Sequence, residues 1–173
     1  MSRIGRKLQR KKKGNIGADP LLRKAIEYFH GRNWQAADDA CREILRRNPG
    51  NHKALNLLSV VLTHKPDLVS AEKLARKAIK LNPAEGAYHS NLGLILKEQE
   101  KWDASFRAFA RACALNSRDD ESYYNLGTVY QAIKKKDEAL ECYRKAIAIN
   151  PDHVQALCAL ANLLSRDNVN SRE

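Results

Sequence analysis

The chain has 173 residues, 43% hydrophobic and 29% charged, enough for one domain or one short repeat array around a continuous core. No apolar run approaches the ~18–20 residues that span a bilayer, and no apolar stretch of the secretory-leader kind follows the charged N-terminus, so the expectation is a cytoplasmic protein. The net charge of +11 is uneven: residues 1–19 carry seven basic side chains against one acid, and the other 154 carry 24 against 19.

The first element, residues 1–17, is predicted as a flexible basic tail whose charge comes from Arg3, Arg6, Lys7, Arg10, Lys11, Lys12 and Lys13. Such a run is an electrostatic anchor for nucleic acid, anionic lipid or an acidic protein, or simply a solubilising tail. It has no aromatic residue for base stacking, which weakens a specific RNA reading. Ile4 and Leu8 lie four apart, as a short amphipathic turn would place them, and the Arg-rich, acid-poor composition leaves a mitochondrial transit peptide open. The initial Met-Ser does not fit N-myristoylation.

From residue 18 the chain repeats. Asn-Pro recurs at Asn48-Pro49, Asn82-Pro83 and Asn150-Pro151, and Asn116-Ser117 fills the gap, giving a period of 34. The repeats are 18–51, 52–85, 86–119 and 120–153, and an incomplete fifth supplies a terminal helix over 154–165. The eighth position is small each time: Ala25, Ser59, Gly93, Gly127 and Ala161. So is the twentieth: Ala37, Ala71, Ser105 and Ala139. Larger residues fill the columns between, with Leu58, Leu92, Leu126 and Leu160 at the seventh and Cys41, Ala75, Phe109 and Tyr143 at the twenty-fourth. Spacings of three and four predict two helices per repeat, the first pair over about 20–31 and 34–47. The proline pushes the residue before it out of the helical region and ends each second helix. One hairpin cannot bury its own apolar face, and stacked neighbours complete the cover.

These columns resemble the tetratricopeptide repeat, and the fourth repeat matches it at Tyr123, Leu126, Gly127, Tyr130, Ala139, Tyr143, Ala146 and Pro151. The first departs most, with Lys24 and Ile44 at consensus positions. The resemblance spans residues 18–166, leaving 167–173 as a polar tail. It implies an all-α, right-handed superhelical solenoid of antiparallel helix pairs, four repeats plus a terminal helix. It also implies a scaffold or adaptor that binds a protein or peptide in the concave groove lined by the first helices.

The groove residues this selects are Asn56, Asn91, Tyr124, Asn125, Thr128 and Gln131. Asn91 and Asn125 share the sixth position and would stack as rungs that read a peptide backbone. This is similar to the asparagine ladder of O-linked N-acetylglucosamine transferase; alternatively, Asn is simply common at that position. The carboxylate clamp of chaperone-binding adaptors is disfavoured, because the first repeat offers Leu22 and Ile26 and the later repeats lack the Lys and Arg pair.

The terminal helix is apolar nearly all round. Val154, Leu157, Ala161 and Leu164 are expected to pack on the fourth repeat, leaving Ala156, Leu160 and Leu163 as a face for self-association, a partner or the continuation of a longer chain. Cys41, Cys113, Cys142 and Cys158 show neither paired spacing nor a nearby His, so small buried thiols are expected and no disulfide or zinc site. No phosphate-binding loop, nucleophile motif or metal-binding His spacing occurs, so neither catalysis nor a cofactor is expected. Two other readings stay open: the targeting or regulatory part of an enzyme such as a glycosyltransferase, and a nucleic-acid or membrane-surface binder acting through the tail.

Overall fold

A computed structural model describes residues 19–65 and 67–170, the side chains of 166–170 aside. The basic residues Arg3 to Lys13 lie outside that range. The described residues form helices α1 (Pro20–His30), α2 (Trp34–Arg47), α3 (His52–Thr63), α4 (Leu68–Leu81), α5 (Gly86–Glu98), α6 (Trp102–Leu115), α7 (Asp120–Ala132), α8 (Lys136–Ile149) and α9 (Val154–Asn170), with no strand among them.

Local chemistry sets most of these boundaries. Asp19, Asn33, Asn51, Asp67 and Asp119 each accept an early backbone N–H of the following helix through the side chain. Each second helix stops at Asn48, Asn82, Asn116 or Asn150, whose backbones swing out to φ −141°, −142°, −137° and −130°. Asn116 does so before Ser117, so the proline column reinforces this stop without being required for it. Arg32, Glu100 and Lys134 take positive φ of 56°, 57° and 62° at the fifteenth position of their repeats. The next residue then bonds back to the first helix: Asn33 to the Tyr28 carbonyl at 2.8 Å, Lys101 to Leu96 at 2.9 Å and Lys135 to Tyr130 at 2.8 Å.

The helices stack in sequence as a solenoid. In each first helix after α1, the third, seventh and tenth positions pack back on the preceding repeat. Ala54 meets Ile44 of α2, and Leu126 and Val129 meet Phe109 and Cys113 of α6. The fourth, eighth and eleventh positions close the hairpin with its own second helix, as Leu55 does against Ala78. The small eighth position is sterically required in the later repeats. A Cβ at Gly93 would lie 2.8 Å from the Phe109 ring, and one at Gly127 would lie 2.5 Å from Tyr143.

This register corrects the expectation for the terminal helix. Ala156 and Leu163 are buried and Leu160 half-buried, against Leu140 and Tyr143 of α8. The exposed apolar residues are instead Val154, Leu157 and Leu164, at 64%, 42% and 41% exposure, with Ala161 and Cys158 beside them. The physical reason is the common register: the third, seventh and tenth positions always turn back to the previous repeat, while the fourth, eighth and eleventh turn to a second helix. The helix also runs on to Asn170, past its expected end at residue 165.

Candidate functional site

The inner wall is built by α1, α3, α5 and α7, whose free faces carry polar side chains between the two packed ones. Asn91 on α5 donates through Nδ2 to Asn56 Oδ1 on α3 at 3.0 Å, and both residues are half-buried. The bond leaves Asn56 Nδ2 and Asn91 Oδ1 without a hydrogen-bond partner among the described residues. One free donor and one free acceptor on adjacent helices suit the C=O and N–H of one residue in an extended strand, which point the same way.

Beside this amide pair is a cavity of about 300 Å³ lined by Leu22 and Ile26 of α1, Lys53, Asn56 and Leu57 of α3, and Tyr88 of α5. Ile26 is 41% exposed at its mouth. The Tyr88 hydroxyl is held 2.7 Å from His52 Nδ1, and burial together with Glu85 pushes its pKa up to about 12. It therefore serves as a neutral wall.

Further along, the groove is internally bonded. Asn125 is buried, donates through Nδ2 to the Glu121 carbonyl at 2.9 Å, and accepts from Lys97 Nζ through Oδ1 at 3.1 Å. Burial holds the Lys97 pKa below its ordinary value, the neighbouring Glu98 opposing this. Thr128 donates to the Asn125 carbonyl at 2.7 Å, and Gln131 Oε1 accepts from the Tyr143 hydroxyl at 2.9 Å. The Tyr124 ring lies between those of Tyr143 and His153, 5.9 and 5.1 Å away. Asn91 and Asn125 are thus not bonded to one another: one amide turns to Asn56 and the other to Lys97.

Sequence reasoning missed His153. It is buried, accepts the Ala156 N–H through Nδ1 at 3.3 Å and lies 3.7 Å from Glu121. The available signal was its column, since Asn51, Glu85 and Asp119 hold the same helix-starting position. Burial pushes the thiols of Cys41 and Cys113 up to about 12 and that of Cys142 to about 11, so these three are protonated and unreactive at neutral pH; Cys158 is exposed. Among the described residues no group of three His, Cys, Asp or Glu side chains is placed to hold a metal ion, and no helix is long and apolar enough to cross a membrane.

Three family models, each of the tetratricopeptide repeat, match residues 22–86, 121–153 and 142–171. The chain belongs to the tetratricopeptide-repeat family. No curated protein matches its sequence. Among solved structures, a Pseudomonas aeruginosa pilF structure aligns at a TM-score of 0.81 and 23% identity, over 86% of this chain and 68% of that one. MamA aligns at 0.74 and 22% identity, over 88% and 83%. YrrB, a TPR protein with an unusual peptide-binding site, aligns at 0.70 and 26% identity, over 78% and 70%. These likenesses establish the helical-repeat fold, whose repeats are those of a protein–protein interaction scaffold.

Proposed function

We propose that this tetratricopeptide-repeat chain is a scaffold that holds an extended segment of a partner protein in its inner groove, across α1, α3 and α5. The observation that carries the reading is the Asn56–Asn91 pair beside the apolar cavity of Leu22, Ile26 and Leu57. The pair offers a donor and an acceptor to backbone, while the cavity takes an aliphatic side chain two or so residues along. Backbone recognition of this kind constrains the partner's conformation more than its sequence. Asn125, Thr128, Gln131 and Tyr124 form the far side of the groove, where amides bound internally make a fixed wall. That YrrB is a peptide-binding TPR protein is consistent with this assignment.

The test is selection of a random-peptide phage library on the whole chain, followed by affinity measurement of the recovered peptides. Asn56→Ala with Asn91→Ala removes about two net hydrogen bonds and should weaken inner-groove peptides about tenfold, with little change in melting temperature because both residues are half-buried. Equal affinity for the parent and the double variant overturns the reading.

A further inference from the structure

The outer surface carries a second recess, independent of the inner groove. The second helices α4 and α6 run side by side, and α5 forms the floor between them, leaving a cavity of about 480 Å³. Its floor and walls are aliphatic: Leu92 and Leu96 of α5, Ile79 of α4, and Ala104 of α6. Its rim is basic: Arg76 and Lys80 from α4, Arg107 and Arg111 from α6. No Asp or Glu lines it.

The charge on this rim is unbalanced. Arg76 is bonded to Glu72 at 2.8 Å, but Lys80, Arg107 and Arg111 have no acidic partner among the described residues, and all three are exposed. The equivalent recess one repeat earlier, about 620 Å³ between α2 and α4, is different. Its Arg42 and Arg46 are paired to Asp38 and Glu43, leaving Lys73 as its only basic lining residue without an acidic partner among those described. The shape recurs along the solenoid, while the free positive charge is concentrated in the central recess.

We propose that this central outer groove docks a segment of a partner protein in which Leu, Ile or a similar aliphatic side chain is flanked by Asp and Glu. The aliphatic floor needs an apolar anchor, and three unpaired cations around it complement carboxylates on either side. Nucleic acid is a poorer fit, since phosphates would use the rim but leave the aliphatic floor unfilled, and the one ring lining the recess, His89, is tied through Nε2 to the Pro83 carbonyl at 3.1 Å. An anionic membrane would meet the ridges of α4 and α6 before reaching the recessed floor.

The whole chain and its Arg107→Glu, Arg111→Glu variant are used for paired selections from a random-peptide phage library, with Arg107→Gln, Arg111→Gln as a second variant should charge reversal disturb folding. Peptides retained by the parent and lost by the variant are expected to be rich in Asp and Glu around one aliphatic residue. They should weaken about tenfold or more on Arg107→Gln, Arg111→Gln, weaken again when that aliphatic residue is replaced by Ser, and bind less tightly as salt rises. Asn56→Ala with Asn91→Ala should leave them unchanged, which separates this surface from the inner groove. The proposal is overturned if no acidic peptides are recovered, or if those recovered bind all variants equally. It is also overturned if loss of Arg107 and Arg111 impairs binding only of an RNA hairpin or of phosphatidylserine vesicles.

Discussion

The two halves of the solenoid close the same hairpin by different means. In the first two repeats the eighth and twenty-fourth positions are Ala25 with Cys41 and Ser59 with Ala75, all fully buried, small against small. In the third and fourth, Gly93 faces Phe109 and Gly127 faces Tyr143, and the rings occupy the space a Cβ would take. Polar ties join the repeats in both halves: in the later one Lys97 donates to Asn125 at 3.1 Å and Ser122 to Ser90 at 3.0 Å, and the early half has its own set. Asp38 accepts from Lys65 at 2.6 Å, Gln35 accepts from the same ammonium at 2.8 Å, and Trp34 stacks on His64 with centroids 3.9 Å apart. One fold thus tolerates two packing solutions at this crossing, small against small and glycine against ring.

Four substitutions, one of them added to another, would break or sharpen this contrast. Phe109→Ala should have the largest effect, about 3–5 kcal/mol by denaturant melting, because a fully buried ring leaves a cavity beside Gly93. Adding Gly93→Ser to it imports the pair of the second repeat, and a loss smaller than the sum of the single losses would show that the two positions are coupled.

Asp38→Ala should cost about 2 kcal/mol at neutral pH, since it strips a buried acceptor from Lys65 and Arg42. Burial alone would raise the Asp38 pKa, but the hydrogen bonds from Lys65 and Arg42 outweigh it and hold it below the ordinary value. A carboxyl depressed in the folded state contributes stability above its unfolded pKa and loses it as pH falls through the folded one. The difference between parent and variant should therefore be full at neutral pH and shrink below about pH 4. A difference that persists undiminished in acid would mean that Asp38 acts by packing rather than by charge.

Gly127→Ala should be the mildest, about 1 kcal/mol, because overpacking against Tyr143 is partly offset by the better helix propensity of Ala. The same change at the equivalent place in the early half has in effect been made already, as Ala25.

Much of this was legible in the residue columns. The Asn48-Pro49 and Asn150-Pro151 spacing and the small eighth position set the helix pairs, because both reflect steric demands that repeat with the chain. The phase of α9 was not legible, since Val154 to Leu164 contains apolar residues all round and no polar stripe to orient it. Its far end was equally hidden, because Ser165 to Asn170 holds no Gly or Pro to stop a helix. The groove residues could be placed on one wall by register, but which amide Asn91 or Asn125 would meet depends on side-chain neighbours 34 or more residues away. The outer basic rim left a signal that a search for charge runs overlooks. Arg76 and Lys80, then Arg107 and Arg111, stand four apart on two successive second helices and so converge only after the helices stack.

The half-covered α9 also bears on how the chain moves. In a one-dimensional array, each helix is held by the elements on either side of it, so opening propagates from wherever a flank is missing. Among the described residues α9 rests on one flank, through Ala156, Leu160 and Leu163, while α5 is gripped on both. Of these two helices, α9 should exchange its amide hydrogens sooner than α5. Anything that seats on Leu157 and Leu164 would act there as a latch.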